Sequence, residues 1–163
     1  MELKERLKRR LVEARQMSEK LLADFQSPEQ WTHQVGPTCN HALWFVGHMA
    51  QTDNFFISVI APEKMKVIEG LREKFGMGSQ PTNRPEDYPP PDQVLATMRE
   101  RREALLEILD GLSDEDLATK TPPGSPDFLP DLASVFETAV WHEGLHSGQL
   151  SLIRRSLGYK PLR

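Results

Sequence analysis

The chain has 163 residues, a formal net charge of -4, 38% hydrophobic and 27% charged side chains, the profile expected of one soluble globular domain. The acidic balance leaves no basic footprint for nucleic acid, and no apolar run approaches the roughly eighteen residues that read as a membrane span. One cysteine, Cys39, excludes an internal disulfide framework; with a charged, periodic start (Met1-Glu2-Leu3-Lys4-Glu5-Arg6) unlike a signal peptide, it predicts a cytoplasmic protein.

In chain order, the first helical pattern runs from Glu2 to Phe25, with Leu3, Leu7, Leu11, Ala14, Leu21 and Phe25 on one stripe. Ser27-Pro28 ends it, and a connector follows to Gly36-Pro37. The second helix is expected from an N-cap at Thr38 to Ile60, with His41, Trp44, His48, Thr52, Phe55 and Val59 on one face. A shorter amphipathic piece is predicted over Glu63 to Phe75, then a surface loop through Pro81, Pro85 and Pro89-Pro90-Pro91. The third helix covers Asp92 to Leu112, and Arg102, which interrupts its apolar stripe, is expected to be a snorkelling stem at the core edge. A capped turn at Ser113–Leu117 and a proline-rich loop over Thr121 to Pro130 lead to the last helix. That helix runs from an N-cap at Asp131 to Leu157, with Gly158 closing it and an inward stripe of Leu132, Val135, Ala139, His142, His146, Leu150, Ile153 and Leu157. Four long helices and no convincing strand predict an all-α four-helix bundle over residues 1–163. The long segment between the second and third helices can serve as a crossover.

Two histidines in the middle of an apolar stripe carry the functional signal. His142 and His146, at i and i+4, project from one helix face, the spacing at which two imidazoles share one metal ion. His48 holds the equivalent central position on another stripe, so the three can converge if those stripes face each other. Three neutral nitrogens suit zinc first, with nickel or ferrous iron as alternatives, and leave open positions for water or substrate. His142-Glu143-Gly144-Leu145-His146 also matches H-E-x-x-H, the zinc-protease pattern, but the residues after His146 include no His, Cys, Asp or Glu to complete such a site. Glu143 is a candidate base or partner to a ligand, with a salt-bridged place on the helix as the alternative; Gln149, one turn past His146, is a candidate to hydrogen-bond an imidazole or a substrate. Gly144 and Gly148 weaken the helix and would be explained by a close neighbouring helix. His41 is expected at the core boundary, Cys39 as a small buried residue, and Trp31, Trp44 and Trp141 as core or pocket wall.

These residues resemble a known family. Asn40-His41-Ala42-Leu43-Trp44-Phe45-Val46-Gly47-His48 and His142-Glu143-Gly144-Leu145-His146-Ser147-Gly148-Gln149-Leu150 are similar to the two histidine motifs of the DinB-like superfamily, and Leu152-Ile153-Arg154-Arg155-Ser156-Leu157-Gly158 is similar to its tail. The resemblance implies a bundle of up-down-down-up order, a divalent metal on His48, His142 and His146, and a homodimer. It further implies a metal-dependent transferase that joins a low-molecular-weight thiol to an electrophile, or a hydrolase using the same site with water. The alternative is a non-catalytic, metal-binding stress-response bundle.

Overall fold

In the computed structural model, which describes residues 2–162, helix α1 (Leu3–Leu22) buries Leu7, Leu11, Leu21 and Leu22. Glu2 does not cap it. Asp114, far along the chain, supplies the cap instead: its two carboxylate oxygens accept from the Leu3 and Lys4 amides at 2.9 Å each. A short helix α2 (Pro28–Trp31) opens with a Ser27–Gln30 capping box. Then come α3 (Ala42–Ile60), a 3-10 turn at Pro62–Lys64, α4 (Leu71–Phe75), a second 3-10 turn at Pro85–Asp87, and α5 (Pro91–Asp110). The short α6 (Asp114–Leu117) precedes α7 (Leu132–Ser156), which Asp131 caps by accepting from the Ser134 amide at 2.8 Å. Gly158, at φ 88°, closes α7 in the left-handed conformation that its position requires. Among the described residues there is no strand, only one isolated bridge between Lys120 and Asp131, and no helix long and apolar enough to cross a membrane.

Two boundaries differ from the sequence expectation. Thr38 is not the cap of α3: it sits at φ 69°, and the Cys39 amide closes a turn onto the Gly36 carbonyl at 3.1 Å. The helix starts four residues later, where His41 Nδ1 accepts from the Trp44 amide at 3.0 Å. The expected helix over Glu63 to Phe75 is confined to Leu71–Phe75. Asn54 explains the shortfall, because its side chain donates to the Lys66 carbonyl at 2.8 Å and accepts from the Lys66 amide at 3.1 Å. Both backbone groups that a helix would use are thereby tied to α3.

The core has two clusters, and their membership gives the topology. One holds Leu7 and Leu11 of α1, Phe56 and Ile57 of α3, Leu105 and Leu109 of α5, and Val135 and Phe136 of α7. The other holds Leu21 and Leu22, Leu43 and Met49, Val94 and Met98, and Leu150 and Ile153 from the same helices. Helices α1 and α7 therefore run one way while α3 and α5 run the other, the up-down-down-up order. The segment from 61 to 90 crosses over so that α3 and α5 lie parallel.

Between the clusters lies a layer of charge, with one residue from each long helix: Arg15, Asp53, Arg102 and Glu143. Asp53 receives Arg102 Nε and Nη2 at 2.9 Å each and Arg15 Nη2 at 3.0 Å. Arg15 Nε donates to Glu143 Oε1 at 2.7 Å, and the Ser18 hydroxyl donates to the same oxygen at 2.8 Å. Glu143 Oε2 lies 2.8 Å from Arg102 Nη1 without a well-aligned hydrogen bond, so that contact is chiefly coulombic. Spare guanidinium donors go to the Met98 and Leu11 carbonyls. Arg102 is thus not a snorkelling stem at the core edge: it is 3% exposed and paired inside. Burial works against its charge, but Asp53 and Glu143 outweigh it and hold the guanidinium more firmly protonated than in water.

Candidate metal centre

Just above this layer, α3 and α7 face each other and bring three imidazoles together. Among the described residues, His48, His142 and His146 form a cluster whose ligand atoms all lie within 4.8 Å of one another, a set that could hold a metal ion. His48 and His146 are buried and His142 is half-buried.

Each ring's orientation has a local cause. His48 Nδ1 lies 2.7 Å from the Phe75 carbonyl, so Nδ1 carries the proton and Nε2 presents a lone pair. Gly47 makes this contact feasible: a Cβ there would fall 2.1 Å from Cγ of the buried Phe75 ring, and only glycine lets α4 settle against α3. Trp44 stacks on the other face of His48, with ring centroids 4.2 Å apart, and its indole Nε1 donates to Ser79 Oγ at 2.8 Å. His146 Nδ1 lies 3.0 Å from Gln149 Oε1, which also receives Asn40 Nδ2 at 3.2 Å. The amide oxygen can only accept, so His146 likewise keeps Nε2 free. His48 Nε2 and His142 Nε2 are 3.2 Å apart. Two nitrogens on one tetrahedral zinc, each about 2.0–2.1 Å from it, stand about 3.3 Å apart, so the donor set fits such an ion.

The electrostatics suit neutral ligands. Burial drives His48 down to about 4 against the Phe75 carbonyl, which favours the charged ring, while nearby His146 pushes the same way as burial. His142 is also lowered to about 4, by burial first and then by His146 and His48. His146 is lowered by burial, partly offset by Gln149. All three are unprotonated at neutral pH and need lose no proton to bind a cation.

Glu143 is placed next to this cluster in sequence, yet its carboxylate is held by Arg15, Ser18 and Arg102 in the charge layer. Gln149 touches His146 directly. The sequence signal that missed Phe75 was incomplete rather than absent: Gly47 beside His48 marks a close approach, but not by which residue. Three other expectations are corrected. His41 is fully buried, not at the boundary, with Nδ1 spent on the α3 cap and Tyr88 set edge-on at 4.8 Å. Cys39 is exposed, because the turn at Thr38 lifts it off α3. Trp31 and Trp44 are buried, but Trp141 is 64% exposed on the outer face of α7.

Two predictions arise here. Replacing Gln149 with Leu frees the His146 ring to rotate and should weaken metal binding about 10- to 100-fold while leaving all three ligands present. Competition with a chromogenic chelator reads this directly, and unchanged affinity would show that Gln149 does not orient the ring. The second concerns pH. Burial lowers His41 from 6.5 to about 4, against weaker support from the backbone of Thr82 and Trp31. Above pH 6.5 the ring is neutral in both folded and unfolded chains. As pH falls from 6.5 through about 4, the unfolded chain takes a proton that the folded one refuses, and stability drops by on the order of 3 kcal/mol. In metal-free protein, urea unfolding at pH 7 and pH 5 should show a smaller pH effect for His41→Asn, which can still cap α3, than for wild type.

No curated protein matches the chain. A family model described as the DinB superfamily matches residues 10–150, a span that takes in α3 and α5 whole, most of α1 and α7, the charge layer and the three histidines. With that match over most of its length, the chain belongs to the DinB superfamily.

Proposed function

We propose that this protein is a metal-dependent enzyme that binds one divalent ion, zinc foremost, through Nε2 of His48, His142 and His146 and transfers a small thiol to an electrophile. The observation that carries the reading is the convergence of three unprotonated imidazoles, two held by hydrogen bonds at Nδ1, with three protein donors at the centre among the described residues. Three ligands are fewer than a closed structural site uses, which favours a site that also takes substrate. A bound ion would supply Lewis acidity that lowers the pKa of a thiol, or of water in a hydrolytic variant, toward neutral pH.

The chain's own groups do the rest. Phe75 and Gln149 orient two of the ligands, and Trp44 walls off His48 and keeps water from that side. Glu143, held by two arginines, serves in this reading as an anchor that fixes α7 against α1 and α5, not as a proton acceptor. The protein is taken to act as a homodimer.

Metal analysis of the purified protein should find about one ion per chain. Ion-loaded protein should consume one or more thiols from a panel of cellular low-molecular-weight thiols offered with an aromatic halide, and chelation should abolish turnover. Loaded protein that turns over neither thiols nor ester and amide substrates would leave a metal-binding module and end the enzyme reading.

A further inference from the structure

The outer face of α7 is built unlike the surface of a helix that faces only water. Trp141, Leu145 and Leu152 are 64%, 50% and 59% exposed. At 100° per residue they fall, with Gly148, within about 60° of one another, forming one apolar stripe along the helix. Gly144 borders the stripe. A Cβ at Gly144 or at Gly148 would meet nothing within 4 Å, so neither glycine is required by packing within the chain. Two glycines in mid-helix weaken α7 with no compensation in the monomer. Glu137 and Arg155, one at each end of the stripe and on the same side of it, are exposed and have no ion-pair partner among the described residues.

We propose that α7 packs antiparallel against α7 of a second copy about a two-fold axis near residue 146, with Glu137 of each copy paired to Arg155 of the other. The inference rests on the homodimer reading above and adds its face, direction and register. A two-fold axis perpendicular to the helices matches residue n with residue 292 − n, to within one residue. It sets Glu137 against the second copy's Arg155 and Gly144 against its Gly148, and brings Trp141 over Leu152. The same residues in a parallel pair would set Glu137 level with Glu137 and Arg155 level with Arg155, which is repulsive. The pattern is therefore self-complementary in one direction only, as an isologous contact requires. The paired glycines let the helix axes approach closely, and the exposed indole and leucines leave water.

Sedimentation across a concentration series, with disulfide trapping, tests the proposal. Wild type should sediment as a dimer. Gly148→Leu meets no atom of its own chain, so it should stay folded by circular dichroism yet become monomeric. Glu137→Arg should weaken the dimer about tenfold, and Glu137→Arg combined with Arg155→Glu should restore it. In a Cys39→Ser background, Glu137→Cys with Arg155→Cys should cross-link two chains, since within one helix these positions are about 27 Å apart. A wild-type monomer would overturn both this inference and the homodimer reading. A dimer unaffected by Gly148→Leu would overturn the α7 face alone, and failure of both charge rescue and cross-linking would overturn the antiparallel register.

Discussion

Asp53→Ala is expected to destabilise the protein by about 3–5 kcal/mol, because it breaks a buried network of ion pairs. Asp53 is 1% exposed and accepts three hydrogen bonds from two buried guanidinium groups. Its removal leaves Arg15 and Arg102 with Glu143 alone, two buried positive charges against one negative. The cost is not the strength of the lost ion pairs but the desolvation of the charge left behind. In a chain of this size it should lower Tm by roughly 6–20 °C. The same physics gives an internal control. Replacing all four charges together with apolar residues of similar volume should cost far less, because no charge is stranded. A loss under about 1 kcal/mol for Asp53→Ala in urea unfolding would mean that water reaches the layer.

The second large effect is metal-linked. A divalent ion held at about a thousandfold above its Kd should stabilise the wild type by about 4 kcal/mol, raising Tm by roughly 8–16 °C. His142→Ala should remove most of that rise while scarcely changing the metal-free protein. His142 is half-buried, and apart from the 3.2 Å contact with His48 Nε2 its ring only packs edge-on against His146 at 4.5 Å, so little folding energy is lost with it. Thermal scans of both proteins, with ion and with chelator, separate the two contributions. A His142→Ala variant that kept the full ion-induced shift would remove this residue from the ligand set.

Both effects depend on one feature, the way α3 and α7 each place chemistry on the inner side of the bundle at neighbouring levels. Five residues past His48 on α3 comes Asp53, and directly after His142 on α7 comes Glu143. The charge layer and the histidine cluster are therefore mechanically coupled: the ion pairs that bind α7 to α1 and α5 also set the height at which His142 and His146 meet His48. Asp53 and Arg102 are also close enough to act on the His142 ring, with opposite signs.

Period was enough to read the long helices. Leu3, Leu7 and Leu11, or Val135, Ala139, His142 and His146, repeat at helical spacing, and Asp131 and Gly158 mark the ends of α7 by local chemistry that needs no neighbours. His142 and His146 could be paired for the same reason, since i and i+4 on one helix is a local geometry, and His48 joined them only as the central residue of another helix's stripe. What local pattern could not supply was any pairing between distant residues. Arg102 looks like an edge residue on its own helix because its partners, Asp53 and Glu143, lie on two others. The helix expected through Glu63 to Phe75 fails because Asn54, on α3, claims the backbone of Lys66. The N-terminal cap of α1 comes from Asp114, and the carbonyl that orients His48 comes from Phe75 across the crossover. The amino-acid order by itself determined which segments become the four long helices and which three side chains carry the candidate site, because backbone geometry and side-chain period act over a few residues. Tertiary packing alone decided which buried charges neutralise one another, which ring nitrogen is left free, and that Trp141 faces outward, because those depend on contacts whose partners lie tens of residues away along the chain.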